Sequence, residues 1–251
     1  LEIREGYSVL AGQKRLKWKR IGLALVFVVM LCTLNHVPSG YLVVSPGPVI
    51  ELSEIVEIEG YPSGDSSFYM VSVMAREASI IQSIRAAVDR NLALWPRRQV
   101  LGGRSVEEYL EANRDLMEQS QVTATYVALT FQGMSVPVQG PFPVKATIRP
   151  GQVAGPSAGL VFALEIITRM DQDIVMGRKI AGTGILDSEG RVFPVGGVAQ
   201  KTIACREEGI EIFLVPRKNL DEALRFAGDM EVYGVDTVEE AIKVLASGSN
   251  S

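Results

Sequence analysis

Ser157 stands at the mouth of an almost wholly apolar run, QVAGPSAGLVFALEIITRM over residues 152–170, directly behind Gly155 and Pro156. Glycine makes a flexible corner, and proline, with its fixed φ and no N–H, suits the first turn of a helix. The serine then sits where backbone N–H groups have no carbonyl partner in their own helix and the helix dipole favours negative charge. A hydroxyl there can act as a nucleophile, the same N–H groups holding the oxyanion of the attacked carbonyl. It can equally be a local cap, and the hexapeptide GPSAGL alone leaves both readings open.

A nucleophilic serine needs a base. The single histidine, His36, lies at the edge of an apolar stretch near the N-terminus, which excludes a Ser-His-Asp triad or a Cys-His pair in the rest of the chain. A carboxylate or a lysine remains. PVGGVAQKTIACREEG, residues 194–209, supplies Lys201. In a helix over 198–208 it falls between the directions of Val198 and Cys205, on the less polar face. Desolvation lowers the pKa of an inward lysine, and a drop from about 10.4 to about 7.5 costs about 4 kcal/mol at about 1.36 kcal/mol per unit. Packing alone rarely retains such a cost, although most helical lysines run their stems to the surface instead.

The elements that must position these residues come from a chain of 251 residues, 47% hydrophobic and 22% charged, enough for one sizeable core or two small ones. GYLVVSPGPVIEL reads as a strand, a Pro-Gly-Pro turn and a second strand, and IVEIEGYPSGDSSFYMVSV as a hairpin of the same kind. Ile81, Ile84, Val88 and Leu92 keep one helical face. Ser105 and Glu108 form a capping box, behind which Val106, Tyr109, Asn113 and Met117 share a stripe. VTATYVALTF, residues 122–131, alternates as a strand. IEIFLVP is a short apolar run after Gly209, and Asn219 with Glu222 and Thr237 with Glu240 cap two further helices. This mixture predicts an α+β architecture, with α/β as the alternative.

Charge is divided unevenly. Residues 1–20 carry six Lys and Arg against Glu2 and Glu5, a net +4, leaving −8 for the rest of a chain whose formal charge is −4. An acidic body argues against nucleic acid as the main partner, since phosphate binding needs a basic face. Behind the basic cluster, IGLALVFVVMLCTLNHV at 21–37 has the minimum length for a membrane span. A cleaved signal peptide and a buried core helix are the alternatives. No A-x-A-like site follows, Leu31 before Cys32 is too large for a lipoprotein-type cleavage, and core helices seldom have five basic residues crowded at one end. The reading adopted is an uncleaved single-pass anchor, with residues 1–20 cytoplasmic and the chain after about residue 38 outside. Cys32 then lies in the span and Cys205 alone lies beyond it, so no intrachain disulfide forms there.

Three blocks carry a resemblance: GPSAGL at 155–160, AGTG at 181–184 and GGVAQK at 196–201 resemble the catalytic blocks of the Lon-type serine proteases. The interval from Ser157 to Lys201 is close to that of the family's Ser-Lys dyad. The apolar anchor, the SPGPVIEL segment and the region before VTATYVAL resemble more narrowly the membrane-anchored, ATP-independent YlbL-like group. The resemblance implies that Ser157 is the nucleophile, Lys201 the general base, Thr183 a threonine whose hydroxyl holds the amine, and Gly155 with Ser157 the lining of the oxyanion site. It implies mixed sheets flanked by helices, and a ring-like homo-oligomer. Two departures stand out. Ile185 occupies the place of an acidic residue in ATP-driven Lon proteins, and residues 132–143 are far fewer than the roughly 50 a PDZ domain would need at that point.

The expected organisation is therefore a cytoplasmic basic tail at 1–20, an anchor at 21–37, an N-terminal α+β region at 38–131, a short connection at 132–143, a catalytic core at 144–246 and a polar tail at 247–251. No P-loop sequence occurs, and neither a cofactor nor a metal is expected. The expected function is a membrane-anchored, ATP-independent serine endopeptidase acting on polypeptides on the extracytoplasmic side of the cell membrane. A non-catalytic membrane adaptor or assembly module on the same fold is the alternative.

Overall fold

The computed structural model describes residues 2–62, 68–151, 153–170 and 177–247. Past Ser247, the polar tail expected at 247–251 lies outside these residues. One long helix, α1 (Glu2–His36), leads into strand β1 (Pro38–Glu51), followed by β2 (Val56–Ile58), β3 (Phe68–Ser79), helix α2 (Ile80–Val88), β4 (Ala93–Pro96), α3 (Arg97–Leu101) and the long α4 (Val106–Phe131). The second half runs β5 (Ala146–Ile148), α5 (Gly159–Met170), β6 (Ile180–Gly182), β7 (Ile185–Leu186), β8 (Val192–Phe193), α6 (Val198–Glu207), β9 (Ile212–Pro216), α7 (Leu220–Leu224), β10 (Glu231–Val235) and α8 (Val238–Ser247).

Six strands form one mixed sheet in the order β10-β9-β6-β3-β1-β4. The β1–β3 and β1–β4 pairs are antiparallel, while β3–β6, β6–β9 and β9–β10 are parallel. The α+β expectation holds, and strands from 38–131 and from 144–246 share this sheet. Period-two alternation divides its side chains between two cores. Phe68, Met70, Ile180, Ile212 and Leu214 face a layer built on α4, α5 and α8. Val71, Ala181, Phe213 and Val215 face α6 and α7.

Four local expectations change. The Pro-Gly-Pro segment does not turn: β1 continues through it with a register shift between Pro46 and Val49. Both prolines lack an N–H to donate, and a side chain at Gly47 would come within 2.8 Å of Ser72, so the segment is a bulge where the strands approach closely. The hairpin expected from 55–73 is not formed either. β2 pairs with β5, because Val56 and Ile58 turn into the same core as Ile148, and β3 pairs with β1 and β6. VTATYVALTF is the C-terminal half of α4 rather than a strand: Met117, Ser120, Ala124, Val127 and Ala128 are buried at helical spacing, and nothing breaks the helix between its capping box at Ser105–Glu108 and Gly133. Asn219 does not cap α7, since its side chain exchanges hydrogen bonds with the backbone of Val195, whereas Thr237 does accept from the Glu240 N–H.

The helical face expected over Ile81, Ile84, Val88 and Leu92 forms only as far as Val88. α2 ends at Val88, and its buried residue is Ala86, packed with Val43 and Ala78. Trp18–His36 within α1 is long and apolar enough to cross a membrane, with mean hydropathy 1.5 and no part of the stretch buried.

Candidate active site

Ser157, Thr183 and Lys201 arrive from three different elements and meet beyond the carboxyl end of β6. Ser157 lies in the 3-10 turn Pro156–Ala158 that opens α5 on one face of the sheet. Lys201 projects from α6 on the other face, and Thr183 directly follows β6 between them. The carboxyl ends of parallel strands are where open sheets commonly place ligands and reacting groups.

The Lys201 Nζ is 2.9 Å from the Ser157 Oγ and 2.9 Å from the Thr183 Oγ1. The Thr183 hydroxyl in turn donates to the Ser157 carbonyl at 3.1 Å, which also accepts the Gly184 N–H at 2.7 Å. With its proton committed to that carbonyl, the Thr183 oxygen can only accept from the amine. In the neutral lysine an N–H is thereby directed to Thr183, and the nitrogen lone pair is left to face the Ser157 O–H. The three groups close a ring of hydrogen bonds whose one reactive member is the serine oxygen.

Burial sets the electrostatics. Lys201 is 3% exposed and Thr183 fully buried. Loss of hydration brings the Lys201 amine down from its ordinary 10.5 to about 8. Cys205, one turn further along α6, is buried as well, and burial pushes its thiol up, so it stays protonated near neutrality. Among the described residues no carboxylate pairs with Lys201. This is the inward lysine the sequence suggested, with hydroxyl partners and no counter-ion.

The corner before Ser157 is held from α4. Gly155 adopts φ 101° and ψ 156°, a region that favours glycine, and a Cβ there would stand 3.3 Å from the Asn113 Oδ1. Its N–H donates to the Asn113 carbonyl at 2.9 Å. Gly155 therefore offers its backbone path rather than a free donor. Pro156 has no N–H, and no side chain caps the turn, so the first-turn amide nearest the nucleophile is that of Ser157 itself. On the other side of the corner, the buried Ser120 hydroxyl donates to the Pro156 carbonyl at 3.1 Å. Sequence reasoning missed Ser120. The signal was present in α4, where the polar Ser120 lies between the buried Met117 and Ala124 at helical spacing.

A family model described as the Lon protease (S16) C-terminal proteolytic domain matches residues 115–247, from within α4 to the end of α8. The chain is 29% identical over 194 residues to the archaeal Lon protease of Archaeoglobus fulgidus, a match covering 76% of this chain and 29% of that protein. It is 38% identical over 94 residues to the Lon protease of Campylobacter concisus, covering 36% of this chain and 12% of that protein. A third similarity, 32% identity over 101 residues, is to the archaeal Lon protease of Halobacterium salinarum, covering 39% and 14%. The chain spans less than a third of the length of these curated relatives.

Proposed function

The chain belongs to the family of the Lon-type proteolytic domain, and from that premise we propose that it is a membrane-anchored serine endopeptidase that works without ATP through a Ser157–Lys201 dyad. The carrying observation is the buried Lys201 amine 2.9 Å from the Ser157 Oγ. Neutral Lys201 takes the hydroxyl proton as Ser157 Oγ bonds to the peptide carbonyl carbon, and the Ser157 N–H faces the oxygen that becomes negative. The lysine then returns the proton to the departing amine. A water molecule, deprotonated by the same amine, releases the acyl group and restores the serine. Thr183 keeps the amine aimed, and Gly155 fixes the path of the chain into the nucleophile.

The exposed apolar stretch Trp18–His36 supports the anchor, and the basic residues that precede it support placing the body of the protein on the extracytoplasmic side. Polypeptides are the proposed substrates, as the match to a proteolytic domain supports, and the lack of a P-loop sequence in these residues supports action without ATP. The short segment 132–143 supports a reading in which no PDZ module is inserted there.

A serine-reactive fluorophosphonate probe is the direct test. It is expected to label the protein at Ser157, located by peptide mass mapping, and to leave Ser157→Ala unlabelled. Folded protein that neither labels nor cuts an unfolded polypeptide would instead favour an adaptor on a protease fold. For the anchor, protease added to spheroplasts is expected to remove a tag placed after Ser251. A tag protected until the membrane is broken would reverse the orientation.

A further inference from the structure

α2 carries its most apolar side on the wrong face for a helix packed on a sheet. At 3.6 residues per turn, Ile80, Ile81, Ile84 and Val88 fall within an arc of about 100°. Ala86, the buried residue that seats the helix on Val43 and Ala78, points the opposite way. Ile84 is 63% exposed and Val88 81%. Ile80 and Ile81, nearer α1, are half-buried. Single exposed apolar residues are ordinary, but a stripe whose outer half is turned outward from a seated helix signals a surface that something apolar covers.

What covers it is indicated by where the stripe begins. α2 packs against α1, and the Ile80 N–H donates to the Val37 carbonyl at 3.0 Å, so the start of α2 is tied to the point where the apolar helix ends. From there the stripe continues the exposed apolar surface of α1 through Val37. Tyr41, half-exposed at the start of β1, stands near the same end, as Trp18 stands at the other end of the apolar stretch. Such aromatic residues favour the two edges of a bilayer. Arg85 and Arg90 flank the stripe, both exposed and both without an ion pair among the described residues. An apolar arc bordered by arginines matches the boundary between acyl chains and phosphate headgroups.

We infer that α2 is an interfacial helix: its Ile80–Ile81–Ile84–Val88 arc lies in the lipid surface beside the exit of α1, with Arg85 and Arg90 among the headgroups. The inference rests on the membrane-anchor reading of α1. With a second contact beside the span, the protein body is fixed against the bilayer rather than swinging from a single helix. The β1–β3–β4 edge of the sheet then lies at the membrane.

Depth-dependent quenching tests both levels at once. The full chain with Cys32→Ser keeps Cys205 fully buried, so one introduced cysteine carries an environment-sensitive fluorophore. Positions Ile84→Cys, Val88→Cys, Val26→Cys near the middle of the apolar stretch of α1, and Asp229→Cys beside the opposite edge strand are reconstituted in vesicles with nitroxide lipids. The expected result is strong quenching at Val26 by deep nitroxides. Ile84 and Val88 should lose more than half of their emission to nitroxides near the headgroups, and Asp229 should lose none. Adding Ile84→Asp should reduce the loss at Val88. Quenching at Val26 with none at Ile84 or Val88 overturns the interfacial helix and leaves the anchor standing. No quenching at Val26 overturns the anchor, and the inference with it.

Discussion

In the proposed dyad, the lysine amine is the group whose ionisation sets the rate. Desolvation brings Lys201 to about 8, so the base is mostly protonated at neutral pH and becomes competent as the pH rises through that value. kcat/KM for an unfolded polypeptide is expected to climb about tenfold per pH unit below 8 and then level off. Lys201→Arg keeps the charge but stays protonated, so it should be as inactive as Lys201→Ala, and Ser157→Ala should lose at least about a thousandfold in kcat. A folded Lys201→Arg with near wild-type turnover would remove lysine from the role of base. The same burial costs stability. The unfolded chain holds a proton on Lys201 up to about 10.5 and the folded chain only to about 8. The penalty, about 3 kcal/mol, is therefore fully present below pH 8 and fades between 8 and 10.5. Lys201→Met, close in shape, should be inactive yet more stable than the wild type in urea at pH 7, with the gap closing towards pH 10.5. A less stable Lys201→Met would mean that the hydroxyl partners outweigh the desolvation of the amine.

At the scale of elements, α4 does more than cover the sheet: it clamps the corner that presents Ser157, through the Asn113 carbonyl on Gly155 and the Ser120 hydroxyl on Pro156. Ser120→Ala removes the second hold. It should cost about 1 kcal/mol of stability while lowering kcat by more than it changes KM, because a displaced nucleophile loses rate rather than substrate binding. Urea titration beside steady-state kinetics checks both, and an unchanged kcat would reduce Ser120 to a packing residue. The pairing of Ser157 with Lys201 was legible in the sequence because each breaks a local pattern: a serine behind a Gly-Pro corner, a lysine on an inward helix face, and no histidine to compete. Thr183 and Gly155 became legible only through family resemblance. α4 was half legible. Its capping box announced the start, but the β-branched residues of VTATYV imitate a strand, and only contact with α5 shows that the period of 3.6 wins. The Pro-Gly-Pro bulge and the β2–β5 pair were hidden for a different reason. A turn signal does not reveal that a partner strand crosses close behind Gly47, nor that a distant strand will claim Val56 and Ile58. The stripe on α2 was visible as a stripe, but its direction depends on Ala86 finding Val43 and Ala78.

For the whole molecule, the site is joined to a folded body and a hydrophobic helix, and this chain contains no P-loop with which to pull a substrate apart. On the proposed reading, a protease without a motor waits for its substrate to open. When opening and closing are fast relative to cleavage, the rate follows the equilibrium population of the open form. Each 1.4 kcal/mol by which a substrate domain is stabilised should then slow its cleavage about tenfold. A graded set of variants of one small domain, spanning several kcal/mol, supplies the measurement. Initial cleavage rates plotted against unfolding free energy are expected to fall along that slope from the rate for the permanently unfolded variant, with ATP and magnesium changing nothing. Anchoring should leave the slope intact, because it alters where the protease meets its substrate and not how often the substrate opens. A rate independent of substrate stability would mean that the protein unfolds what it cuts. A rate that appears only with ATP would mean that a motor outside these residues drives it.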